Sequence, residues 1–232
     1  MSEQLPIEII PAILPEDFEH LESEIAHVHR AAKMVQIDVT DGKFAPSTTW
    51  PYNNEQEENW LALLNQHVGL PYWEELDFEV DLMVVDQIAA ARDWITAGVT
   101  RIIPHMEALK DSDKAELMEL KKQYEVQIVL ALNPSTPNSV LDEYLDIADG
   151  VQFMGSDNIG YHGMTLDPRV YDKVRELRAK MPNLPIAIDI GVTMETAPKL
   201  RDAGVTRFAA GSLILNAADP VEVVNELTEL LQ

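Results

Sequence analysis

Eight short apolar segments alternate along this chain with stretches of helical spacing, and few folds accept that rhythm. The strand-like segments are residues 7–14, 34–39, 78–84, 101–105, 126–132, 150–154, 186–190 and 207–211. Between them Phe18, Leu21, Ile25 and Val28, and later Val170, Val174 and Leu177, recur at the spacing of a helix with one apolar stripe. Strands that alternate with amphipathic helices form a parallel sheet with crossover helices. Eight such units close into a barrel, and a (β/α)8 barrel of about 250 residues accommodates this length without a second core. The chain therefore reads as a single α/β domain, 1–232, of the TIM-barrel class.

The punctuation agrees. Pro15-Glu16-Asp17, Ser135-Thr136-Pro137 and Asp219-Pro220 place acids, hydroxyls and prolines where the first free amides of a helix need partners. Ala97-Gly98-Val99-Thr100-Arg101 and Ala203-Gly204-Val205-Thr206-Arg207 are near-copies, each a glycine helix stop followed by the next strand. One stretch breaks the rhythm. The second connection, 46–77, is long and carries Trp50, Tyr52, Trp60, Tyr72 and Trp73. It is expected to hold one acidic helix around 54–66 on the C-terminal face, with aromatic packing at both ends. Packing against the barrel is favoured over a lid, because Trp and Tyr most often serve as buried area with a polar handle.

Composition removes several function classes. Cysteine is absent, which excludes disulfides and thiolate catalysis and leaves His, carboxylate, amide or hydroxyl ligands for any metal. A formal charge of −23 disfavours nucleic acid or anionic lipid, since both require a basic surface. No apolar run approaches the roughly 20 residues that span a bilayer. Met1-Ser2-Glu3-Gln4 is polar and acidic and does not resemble a signal peptide. A cytoplasmic protein is the expectation, with a homo-oligomer left open.

Chemistry is concentrated at two strand ends. Val35-Gln36-Ile37-Asp38-Val39-Thr40-Asp41-Gly42 runs an apolar strand into carboxylates and a turn glycine, and Ala187-Ile188-Asp189-Ile190-Gly191 repeats the design. A buried carboxylate is costly unless it is paired, hydrogen-bonded or metal-bound, so acids at such strand mouths point to a site. Two of them on one face can take a proton from one side of a carbon and return one to the other. Gly191, Gly211 and Ser212 follow strands seven and eight, where barrels of this class build phosphate sites. Asp41 with Gly42 reads as a turn, and Asn133 as a loop-shaping residue. His20, His27 and His29 fall on the first helix as surface residues.

Taken in order, several motifs resemble the ribulose-phosphate 3-epimerase family over nearly the whole chain. They are Pro11-Ala12-Ile13-Leu14 with Asp17-Phe18, Asp38-Val39-Thr40-Asp41-Gly42-Lys43-Phe44-Ala45-Pro46, Asp81-Leu82-Met83-Val84, His105-Met106-Glu107, Ala131-Leu132-Asn133-Pro134-Ser135-Thr136-Pro137, Gly160-Tyr161-His162-Gly163, Asp189-Ile190-Gly191-Val192 and Ala210-Gly211-Ser212. The resemblance implies a TIM barrel of the pentose phosphate pathway that interconverts D-ribulose 5-phosphate and D-xylulose 5-phosphate at carbon 3. It implies Asp38 and Asp189 as the acid–base pair acting through an enediolate, and one divalent cation bound by both. It places Gly160, Gly163, Gly191, Gly211 and Ser212 around the phosphate, and Met83, Met154 and His105 with the substrate. For His105 a hydrogen-bonded scaffold role is favoured over catalysis.

Departures from the family pattern cluster at the metal. Gln36 and Asp81 stand where two histidine ligands are expected, so the implied set of Gln36, Asp38, Asp81 and Asp189 is all oxygen and favours Mg²⁺ or Mn²⁺ over Zn²⁺ or Fe²⁺. Ala12 replaces a serine that helps hold substrate, Thr40 replaces a capping methionine to give a more polar cap, and Ile190 replaces a glycine. Two alternatives stay open. One is a non-catalytic phosphosugar-binding barrel that has lost its metal. The other is a different phosphosugar enzyme, such as a decarboxylase with an Asp-x-Lys-x-x-Asp array, although Thr40 occupies the lysine position.

Overall fold

The computed structural model describes residues 5–54, 56–161 and 163–232. Eight parallel strands close into a barrel in the order β1 to β8: β1 (Glu8–Ile13), β2 (Met34–Thr40), β3 (Asp77–Met83), β4 (Arg101–Pro104), β5 (Gln127–Leu132), β6 (Gly150–Met154), β7 (Ile186–Asp189) and β8 (Arg207–Ala210). All eight expected strands are present to within about two residues at each end. Outside them lie α1 (Phe18–Val28), α2 (Glu58–Leu64), α3 (Gln87–Ala97), α4 (Asp113–Tyr124), α5 (Arg169–Lys180), α6 (Thr196–Ala203), the single turn α7 (Ser212–Leu215) and α8 (Pro220–Leu231).

The capping signals hold locally. Asp17 accepts from His20 N at the start of α1, and Asp219 accepts from Val221 N and Glu222 N, with Pro220 at the first helical position of α8. Gly98 and Gly204 end α3 and α6 with φ of 108° and 123°, a backbone region that disfavours any side chain. One expected helix is corrected. After Pro137 the chain makes only a 3-10 turn, Asn138–Leu141, before entering β6. Pro137 caps without a side-chain hydrogen bond, and Leu141, Tyr144 and Ile147 bury the connection without a longer helix.

The long second connection packs onto the barrel, as favoured. Trp50 and Trp60 lie edge to face at 5.4 Å, Trp94 of α3 is 5.8 Å and 4.9 Å from them, and all three are buried. Its helix α2 is shorter than expected, beginning after Glu57, whose carboxylate accepts from Asn59 N, Trp60 N and Trp50 Nε1. Only the first part lies on the C-terminal face. A βα connection must return to the strand starts, so Leu70 to Leu76 descend to the opposite end, where Asp77 N donates to Lys33 O and Trp73 is exposed.

The main core fills the layer between strands and helices. Inside the barrel the filling is layered and partly polar. At the strand starts, Arg101 pairs with Glu79, lies 3.6 Å from Glu8 and donates to Gln127, while Arg207 Nε lies 2.8 Å from Glu8. Burial raises the Glu79 carboxyl above its ordinary value, and the Arg101 charge offsets part of that rise. At the other end Ala45, Met83, Met154 and Ile159 form a small apolar cluster with Leu14, Phe44 and Ile190.

Candidate active site

The strand register brings the acids together. Asp38 on β2 sits opposite Asp81 on β3, and Asp189 ends β7 beside Met154 of β6. Asp38, Asp81 and Asp189 are all buried, and one oxygen of each lies within 4.8 Å of the others. Above Asp38 and Asp189 opens a cavity of 170 Å³ at the C-terminal mouth. Gly160, Gly163, Gly191, Gly211, Ser212, Met83 and Met154 all line it. His162, named in the same glycine-rich stretch, lies outside the described residues. Among the described lining residues none is basic.

Three side chains below the cavity hold the acids. Gln36 Nε2 donates to Asp38 Oδ1 at 2.7 Å and to Asp189 Oδ2 at 3.2 Å. His105 Nε2 lies 2.7 Å from Asp81 Oδ1, and Gln152 Nε2 donates to Asp81 Oδ2 at 3.1 Å. Two expectations need correcting here. Gln36 presents its amide nitrogen to the carboxylates and its oxygen has no hydrogen-bond partner, so it acts as a donor in this geometry and ligates only if the amide turns over. His105 does not line the cavity. Its backbone is clamped by Gln87, through His105 N to Oε1 and Nε2 to His105 O, and its ring is covered edge-on by Phe44. That is the scaffold role, exercised on Asp81.

Electrostatics follow from burial. Asp38 is held well above the ordinary carboxylate range, first by desolvation and then by the charges of Asp189 and Asp81, with the Gln36 amide opposing. Asp189 is pushed up to about 7, again by burial first and Asp81 second, against the Ile190 N–H and Gln36. For His105, burial disfavours the imidazolium, but the charge and hydrogen bond of Asp81 outweigh it and raise the group. Both shifts run the same way, because burial and mutual repulsion each disfavour a second negative charge in this pair.

The loops around the mouth are tied to one another. Asp41 Oδ1 accepts from Lys43 N and Phe44 N, and its Oδ2 from Val85 N, each at 2.9 Å, which joins the β2 and β3 loops. Ser47 Oγ donates to Gly160 O at 2.8 Å and lies 3.2 Å from Thr40 Oγ1. Thr40 is buried and does not line the cavity, so the more polar cap expected from it is not formed: its hydroxyl is turned toward Ser47. Ile190 adopts φ of 76°, which is strained for a β-branched residue. Its carbonyl lies where a Cβ on Gly155 would sit, at 2.1 Å.

Sequence reasoning missed Gln152 as well as Tyr161, Met164 and Thr193 of the cavity wall. Gln152 carried a legible signal, a lone amide inside the apolar strand Gly150-Val151-Gln152-Phe153-Met154. Tyr161 and Thr193 sit on loops whose side-chain directions no period encodes.

A (β/α)8 barrel with three buried carboxyls gathered beneath a cavity at its C-terminal mouth is the arrangement of an enzyme of the TIM-barrel class. The chain belongs to the ribulose-phosphate 3 epimerase family, whose sequence model matches residues 8–215. It is 31% identical over 227 residues to the ribulose-phosphate 3-epimerase of Escherichia coli (strain K12), covering 94% of this chain and 93% of that one. With the Candida glabrata protein of that name identity is 30% over 237 residues, at 95% and 91% coverage. With the one from Bacillus subtilis (strain 168) it is 29%, at 95% and 98%. Among solved structures, 3-keto-L-gulonate-6-phosphate decarboxylase from Vibrio cholerae superposes with a TM-score of 0.71 at 15% identity, covering 97% of both chains. A 3-hexulose-6-phosphate synthase does so at 0.69 and 18%, covering 97% of this chain and 100% of that one. At such identities these two share the fold.

The donor set fits a divalent cation. Asp38, Asp81 and Asp189 each offer one carboxylate oxygen, these oxygens lie within 4.8 Å of one another, and carboxylate oxygens are the usual ligands of hard divalent ions. Among the described residues no helix is long and apolar enough to cross a membrane.

Proposed function

We propose that this protein epimerises carbon 3 of a pentulose 5-phosphate, interconverting D-ribulose 5-phosphate and D-xylulose 5-phosphate. The observation that carries the proposal is the pair Asp38 and Asp189, buried, bridged by one amide and exposed to the same cavity floor. One carboxylate removes the proton alpha to the carbonyl, and the other, protonated, delivers a proton to the opposite face of the resulting enediolate. Exchange of roles gives the reverse reaction.

Asp38, Asp81 and Asp189 would hold a divalent cation, with Mg²⁺ or Mn²⁺ favoured by the oxygen donors. When bound, it would supply Lewis-acid stabilisation of the developing oxyanion. Met83 and Met154 exclude water above the acids, and Gly191, Gly211 and Ser212 with the Gly160–Gly163 loop surround the phosphate. Gly191 supports close packing there: its φ is 78° and a Cβ would lie 2.7 Å from Leu166. The net charge of −23 disfavours nucleic acid or anionic lipid as partner, and a phosphorylated small molecule and a cytoplasmic setting belong to the same proposal. A decarboxylase of the Asp-x-Lys-x-x-Asp type is disfavoured, because Thr40 holds the lysine position and none of the described lining residues is a lysine.

Solvent deuterium incorporation at carbon 3 of ribulose 5-phosphate, followed by NMR with Mn²⁺ present, tests this. The wild-type protein should incorporate the label, and Asp38→Asn and Asp189→Asn should each be slowed by about 10²-fold or more. Binding of the sugar phosphate without exchange in the wild type would leave the phosphosugar-binding alternative in its place.

A further inference from the structure

We infer that Gln152 is a positioning residue for Asp81, and that it belongs to the cation site without touching the cation. The inference deepens the metal-assisted reading above and rests on it. Gln152 is 1% exposed, inside the barrel on β6, across from the strand that carries Asp81. An amide there is not the simple choice. Its oxygen has no hydrogen-bond partner, whereas an aliphatic side chain of similar volume would fill the same space and leave no orphaned acceptor. What the amide contributes is its nitrogen, which donates to Asp81 Oδ2 at 3.1 Å while His105 holds Oδ1 at 2.7 Å.

The two donors have a geometric effect that neither has alone. A carboxylate bound through one oxygen can swing about that bond, but one held at both oxygens has its plane fixed. Each carboxylate oxygen accepts more than one contact, so Asp81 remains able to meet a cation with the lone pairs that face Asp38 and Asp189. The two donors also moderate the repulsion among three acids packed within 4.8 Å. Asp38 and Asp189 receive the same service from Gln36. Every acid of the trio is thus held by a buried N–H, and none of the three holders, Gln36, His105 and Gln152, lines the cavity. Partners of this kind behind a metal ligand typically carry a 10- to 100-fold effect on affinity.

The test is Gln152→Leu, with Mn²⁺ affinity measured by electron paramagnetic resonance of the free ion and thermal unfolding of the chelator-treated protein measured beside it. The expected result is an Mn²⁺ Kd weakened about 10-fold or more, with a thermal midpoint in chelator equal to or above that of the wild type. A purely structural role would lower the midpoint and leave affinity in the folded protein alone, which overturns the inference. So does an Mn²⁺ Kd within twofold of wild type. Should Gln152→Leu not fold, Gln152→Met, unbranched like the native side chain and equally without a donor, is read in the same way. A wild-type protein that binds no Mn²⁺ overturns the metal-assisted reading together with this inference, whereas unchanged affinity in the variant overturns the inference alone.

Discussion

Asp189 makes the metal-free protein sensitive to pH in a direction opposite to that of an ordinary surface acid. Its carboxyl is raised from 3.8 to about 7 in the folded state, whereas in the unfolded chain it ionises near its ordinary value. Below about pH 4 both states carry the proton and nothing is lost. Between about pH 4 and pH 7 the unfolded chain has released it while the folded chain retains it, so stability falls as pH rises. A displacement of this size is worth of order 4 kcal/mol when the whole window is crossed. Asp189 is one of 40 acidic residues, so the contribution is read against Asp189→Asn, which has no proton to lose and also relieves Asp38 of a repelling charge.

The assay is urea unfolding in chelator at pH 4.0 to 7.5, followed by the fluorescence of Trp50, Trp60 and Trp94, which are buried together. The variant should gain about 4 kcal/mol on the wild type across that range. Adding Mn²⁺ at about 100 times its Kd should restore about 2.7 kcal/mol to the wild type at the upper end, and much less to the variant. Parallel stability curves, within about 1 kcal/mol over the whole range, would refute the assignment of a retained proton to Asp189.

Two further outcomes follow from the loops. Gly160→Ala would place a Cβ 2.4 Å from Ser47 Oγ at a φ of 82°, so we expect a loss of about 1–3 kcal/mol and a raised KM with a smaller change in kcat, read by thermal unfolding and steady-state kinetics. Asp41→Asn leaves at most one oxygen for three backbone donors and should cost about 1–3 kcal/mol. Although burial opposes it, those N–H groups hold the Asp41 carboxyl below its ordinary value. The wild-type advantage is therefore present above the ordinary carboxylate range and lost as pH falls through the folded-state value, which paired unfolding curves at pH 3 and pH 7 would show.

Most of the barrel is legible in the sequence, because strand and helix periods are local properties. Gly98 and Gly204 announced their helix ends for the same reason. The acids at 38 and 189 were legible because a charge at the end of an apolar strand is costly without a purpose. What the sequence could not supply was partnership across the barrel. Whether Gln36 points its oxygen or its nitrogen at the acids depends on Asp38 and Asp189 together, 153 positions apart for the second contact. The tie between Gln152 and Asp81 spans 71 positions and has no sequence pattern at all. The helix expected after Pro137 failed for a related reason, since a capping signal marks where a helix could start and not whether tertiary packing lets it continue.

The salt-linked floor made by Glu8, Glu79, Arg101 and Arg207 lies at one end of the barrel, and the cavity over Asp38 and Asp189 opens at the other. On the epimerase proposal, the two stereoisomers must enter and depart through that same opening. Each is then an obligatory competitor of the other for the cavity above the acids.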